Sequence, residues 1–111
     1  MSPSKFVEYL GLKSPYKIEL VSKNNKKMTA GYWSLYKDGG KGELHCHVIK
    51  VYLGNKDYRD LETLIAHELI HAWQEENGYA DIHGKSFKKM ARKMSKKFDL
   101  PHIYIKDTDT P

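Results

Sequence analysis

Residues 58–78 read YRDLETLIAHELIHAWQEENG, and this stretch decides the architecture. Leu61, Leu64, Ile65, Ile70 and Trp73 recur at helical spacing, and Gly78 stands where a left-handed C-terminal cap belongs, so the spacing predicts a helix over 58–77. Inside it lies His67-Glu68-Leu69-Ile70-His71. Residues four apart on a helix sit one turn above each other, so both imidazoles leave one face and can share a single ion. Glu68, beside the first His, carries a carboxylate suited to reach a water on that ion rather than the ion itself.

Two side chains do not complete a catalytic zinc site, which takes three protein ligands and a water. His83 leads for the third place: it follows Gly78, where the helix ends, and opens the next helix, so the chain can turn back over the first two ligands. Glu75, Glu76 and Asp81 compete on chemical grounds. Glu75 and Glu76 lie only one turn past His71 on the same rigid helix, where reaching the ion would be strained; Asp81 stays open.

Working outward, residues 84–98 predict a second, amphipathic helix. Phe87, Met90, Ala91, Met94 and Phe98 fall on one arc, and Lys85, Lys88, Lys89, Arg92 and Lys96 fall opposite. Pro101 stops its continuation, and Ile103 to Ile105 is expected to add a short strand. On the N-terminal side, Ser4 to Leu12 reads as a short helix with a Ser cap. Tyr16 to Val21, Met28 to Tyr36 and Glu43 to Leu53 read as strands, with Asn24-Asn25 and Asp38-Gly39-Gly40 as the turns between them. Consecutive strands with short turns predict a three-stranded antiparallel meander. The expected class is α+β: a short N-terminal helix, that sheet, the H-E-x-x-H helix and the basic C-terminal helix, in a single domain over 1–111.

Composition narrows the function classes. Cys46 is the only cysteine, which excludes an internal disulfide framework and any Cys-rich zinc ribbon within these 111 residues, so a metal must be held by His or carboxylate. Neither a membrane-spanning apolar run nor a signal-peptide core is present, and a cytoplasmic monomer is the expectation. The net charge of +5 is unevenly spread: residues 67–81 hold four acids and no Lys or Arg, while residues 82–98 hold seven bases and no acid. A basic surface directly after His83 suits contact with phosphates, and DNA is the expected partner at Lys85, Lys88, Lys89, Arg92 and Lys96.

His67 to Gln74 (HELIHAWQ), the preceding Thr63-Leu64-Ile65-Ala66, the following His83-Gly84-Lys85-Ser86-Phe87, the Gly31-Tyr32-Trp33 strand and the Glu43 to Leu53 strand together resemble the SprT-like family of zinc metallopeptidases, over roughly residues 28–98. The metzincin pattern is absent, because Asn77 holds the position of its third His. The resemblance implies a minimal zincin-like core, one zinc ion on His67, His71 and His83, Glu68 as general base, and proteolysis of proteins crosslinked to DNA. Zinc would acidify its water and polarise the scissile carbonyl, with Glu68 carrying the proton to the leaving amine. Tyr79, His102 and Tyr104 are candidates to stabilise the oxyanion.

Three further readings complete the set. Strand 43–53 is expected to be an edge that pairs with an extended substrate. His45 and His47, on one strand face, form a possible second metal pair, and Tyr32, Trp33 and Tyr36 are core aromatics of which one could stack on a base. The alternatives to a DNA-associated protease are a zinc-stabilised nucleic-acid-binding module with little catalysis and a narrow processing peptidase with no DNA role.

Overall fold

Six elements follow one another in the order αβββαα: α1 Ser4–Leu10, β1 Tyr16–Val21, β2 Ala30–Tyr36, β3 Leu44–Tyr52, α2 Leu61–Asn77 and α3 Lys85–Phe98. The computed structural model describes residues 3–22, 30–37, 42–53, 61–100 and 103–104. The expected turns at Asn24-Asn25, Asp38-Gly39-Gly40 and Gly54-Asn55, and the starts of β2 and α2 at residues 28–29 and 58–60, lie outside those residues. Pro3 rather than Ser4 occupies the N-cap of α1, which ends two residues early because Gly11 turns left-handed at φ 67° and its N–H closes on Glu8 O at 3.1 Å. Ile103 and Tyr104 form a bend, not the expected strand.

The sheet departs from the expected meander. Its order is β1-β3-β2: β3 pairs parallel with β1 (Tyr16↔His47 to Val21↔Tyr52) and antiparallel with β2 (Ala30↔Val51 to Tyr36↔Leu44, with a register shift after Leu35). Turn residues signal where a chain reverses but not which strand slots between two others. That choice follows burial. β3 contributes His47, Ile49 and Val51, all at most 1% exposed, whereas no residue of β1 is buried. The strand with the most to bury takes the middle. β3 is therefore not an edge, and the expected pairing of residues 43–53 with a substrate is overturned: both its sides are already used.

α2 packs across β2 and β3, with α1 and α3 against it. Phe6 and Leu10 of α1, Ile49 and Val51 of β3, Leu64, Ile65, Leu69 and Ile70 of α2, and Phe87, Ala91 and Met94 of α3 form one core. The predicted apolar arc of α3 faces this core, and the Phe98 ring forms T-shaped pairs with Phe6 and Tyr9, at centroid distances of 4.9 and 5.5 Å.

The far end of α2 is tied to the sheet by polar contacts. His47, fully buried, lies 2.7 Å from the Tyr32 hydroxyl through Nδ1 and 2.6 Å from Glu76 Oε2 through Nε2. Glu76 also accepts the backbone N–H groups of Lys13 (2.8 Å) and Ser14 (3.1 Å), the link between α1 and β1. Desolvation raises the Glu76 carboxyl, but the bonds from His47, Lys13 and Ser14 outweigh it and hold the group below its usual value. Its stabilisation is thus present above the ordinary carboxylate value of 4.5 and is lost as pH falls through the lowered folded value. Glu76→Gln should cost about 1–3 kcal/mol at neutral pH. In urea titrations across pH, the gap between wild type and variant should close on acidification; a gap that widens in acid contradicts the assignment.

Candidate metal centre

A helix surrounded by protein must find partners for every polar group it carries. Thr63 to Ala72 of α2 are buried without interruption, including His67 (1% exposed), Glu68 (0%) and His71 (7%). His83 reaches them because α2 ends at Gly78, whose φ of 74° is left-handed, with Tyr79 N–H donating to Gln74 O at 3.0 Å. The return turn then closes at Gly84, where a Cβ would lie 2.8 Å from the Asp81 carbonyl oxygen, so a side chain at this position would force the turn open. His83 is half-buried, and burial holds its imidazole below the ordinary value, favouring the neutral ring.

The nitrogens of His67, His71 and His83 lie within 4.8 Å of one another, and among the described residues no other such group of His, Cys, Asp and Glu is found. Phe87, fully buried on the first turns of α3, touches all three rings, at centroid distances of 4.7, 4.7 and 5.0 Å. It forms an apolar floor that fixes their separation.

Hydrogen bonds fix which nitrogen of each of the two helix imidazoles carries the proton. The Ile103 carbonyl can only accept, so His67 donates to it from Nδ1 at 2.6 Å and keeps a lone pair on Nε2. For His71 the logic runs through three side chains. The Asp81 carboxylate accepts from both the backbone N–H (2.8 Å) and the hydroxyl of Ser86, which lower its pKa, hydroxyl first. The Ser86 oxygen is then free to accept from Gln74 Nε2 at 2.9 Å, which turns Gln74 Oε1 toward His71 Nδ1 at 2.9 Å. His71 donates there, and its Nε2 also presents a lone pair. His67 Nε2 and His83 Nε2 are 3.3 Å apart. That is about the spacing of two nitrogens bound at 2.0–2.1 Å to a tetrahedral zinc ion, so the donor set fits a metal.

The rivals for third ligand are committed elsewhere: Glu76 to His47, Asp81 to Ser86, while Glu75 lines a neighbouring cavity. His47 uses both ring nitrogens on Tyr32 and Glu76, which removes it from a second metal pair; the His45 side chain lies outside the described residues. Of the oxyanion candidates, Tyr104 stands 6.1 Å from the His83 ring and 6.0 Å from Phe87, Tyr79 packs against Trp73 at 5.0 Å, and His102 is outside the described residues. Lys85, Lys88, Lys89, Arg92 and Lys96 are all exposed on α3, with Lys88 5.4 Å above the Tyr104 ring. Gln74 and Ser86 were missed from sequence. The usable signal was Gln74 three residues after His71, on the same helix face.

The SprT-like family profile matches residues 8–108. No protein of curated function and no solved structure matches the chain.

Two substitutions test the centre by metal content. His83→Ala should leave the purified protein with much less than one equivalent of metal; full occupancy would point away from His83. Gln74→Leu should weaken metal binding about 10- to 100-fold in chelator competition, because His71 loses the partner that sets its tautomer. An unchanged affinity would reduce the Asp81–Ser86–Gln74 chain to packing.

Proposed function

The chain belongs to the SprT-like family, whose fold is metallopeptidase-like, and we propose that it is a zinc-dependent endopeptidase acting on proteins associated with DNA. The observation that carries the reading is the buried Glu68 on the same turn as two imidazoles whose third partner is delivered by a separate element. A purely structural metal site would not require an ionisable carboxylate at this depth, because burying one is costly.

His67, His71 and His83 would hold the ion through Nε2, and when bound it supplies Lewis acidity toward a peptide carbonyl and acidifies a water. The remaining work falls to the protein. Glu68 takes a proton from the attacking water and returns it to the departing amine. Gln74 and the Ile103 carbonyl keep His67 and His71 in one tautomer through the cycle. Phe87 excludes water beneath the imidazoles, which strengthens the local electrostatics.

The DNA part of the reading is supported by α3. Its exposed cations carry no acid among them from residue 82 to residue 98. Lys85, Lys89 and Lys93, one turn apart in succession, edge a cavity of about 520 Å³ that is also lined by Trp73, Tyr79 and one carboxylate, Asp81, so three cations face a single acid. Lysines beside aromatic rings match a backbone phosphate next to a stacking base. Among the described residues no helix is long and apolar enough to cross a membrane.

Glu68→Gln should retain zinc while peptide cleavage falls by about 10²-fold or more. Equal cleavage by the zinc-loaded variant rejects the general-base role, and a wild type that binds zinc and DNA without cutting any protein favours a metal-stabilised nucleic-acid-binding module. For DNA, Lys85→Glu with Lys89→Glu should weaken binding and flatten its salt dependence by about two phosphate contacts. Affinity insensitive to salt rejects phosphate contact.

A further inference from the structure

A second cavity, of about 260 Å³, opens directly beside the metal ligand His71. It is smaller than the roughly 300–1,000 Å³ of drug-sized ligand sites, a size for one side chain rather than a folded element. Tyr32, Tyr79 and Ile82 supply apolar walls, and Tyr79 and Ile82 are 49% and 63% exposed. Apolar surface left open next to a reaction centre is surface that a bound chain can cover.

Glu75 is the charged residue of this lining. Among the described residues its carboxylate makes no hydrogen bond or ion pair, in contrast to Glu76, which is saturated by His47, Lys13 and Ser14. Tyr32, His71, Gln74, Tyr79 and Ile82 make up the rest of the lining, so the Glu75 carboxylate is the one formal charge that these side chains present to the opening. The cations of α3 edge the other cavity, with Tyr79 as a shared wall, so the two openings on either side of Tyr79 differ in charge.

Resting on the peptidase reading, we propose that this cavity is a substrate subsite that takes a lysine or arginine side chain, with its methylenes against Tyr79, Ile82 and Tyr32 and its cation at Glu75. The fit follows the anatomy of those residues, an apolar stem ending in a charge that also favours aromatic faces. The same lining rejects the alternatives. An acidic side chain meets like charge, and a purely apolar one desolvates the Glu75 carboxylate without pairing it. Glu75 thus acts as a specificity-determining residue.

The test uses the zinc-loaded full chain and a peptide library with each position varied. Wild type should cut with Lys or Arg enriched at one fixed position, about tenfold over Glu. Glu75→Gln should lower the ratio of kcat/KM for Lys over norleucine at that position about three- to tenfold, and Glu75→Lys should turn the preference toward Asp or Glu. Tyr79→Ala should weaken Lys and norleucine alike, since it removes wall and not charge. Cleavage with no basic preference, or a preference that Glu75→Lys leaves unchanged, overturns the subsite. A second arm measures binding of the same peptides to zinc-loaded Glu68→Gln by fluorescence anisotropy. If wild type cuts nothing but Lys peptides bind more tightly than Glu peptides in a Glu75-dependent manner, the peptidase reading fails and the subsite stands. If binding does not discriminate either, both fail. Zinc content and thermal midpoints equal to wild type show that each variant is folded.

Discussion

Burying two imidazoles and a carboxylate on one helix is the constraint around which this small protein is built. Each such group costs several kcal/mol if left without a polar partner, and a domain of this size has only about 5–15 kcal/mol of net stability. The surrounding elements are arranged to meet that demand. Beyond α3, Ile103 brings its carbonyl to His67. α3 must start where it does because Ser86 completes the contact to Gln74 and, through it, to His71. Phe87 closes the space under all three rings. The core and the site are one structure seen from two sides.

The elements legible in the sequence are those whose signal is local. α2 and α3 show themselves by periodicity, and the end of α2 by Gly78. The place of His83 beside His67 and His71 was legible as well, since a turn between two helices limits where residue 83 can go. What was not legible depends on residues distant in the chain. The place of β3 at the centre of the sheet follows from competition among three strands for burial, which no single strand's pattern encodes. The partnership of His47 with Glu76 joins residues 29 apart, and on the strand alone a buried histidine is indistinguishable from a ligand. Asp81 illustrates the same ambiguity, a plausible ligand by chemistry that the fold assigns to Ser86.

The charge asymmetry of the chain also takes a spatial form. The acids of residues 67–81 divide among different tasks: Glu68 inside, Glu76 fastening the sheet, Asp81 setting a tautomer, and Glu75 left toward the cleft. The bases of residues 82–98 stay in solvent on the outer face of α3. The apolar side of that helix supplies part of the core, so one element both holds the centre together and gives the molecule its positive surface.

The strand order bears on how the chain is made. In a meander, the first two strands could pair as soon as both had left the ribosome. Here β1 and β2 share no hydrogen bonds, and each waits for β3, so no part of the sheet can assemble until residues 44–52 have been synthesised. The anchor for the α1–β1 link, Glu76, arrives later still. Assembly is therefore governed by contacts between distant residues, the condition under which small domains fold slowly. The N-terminal third emerges first and is fastened only once β3 and Glu76 have followed, and until then its strands are open to pairing with other chains.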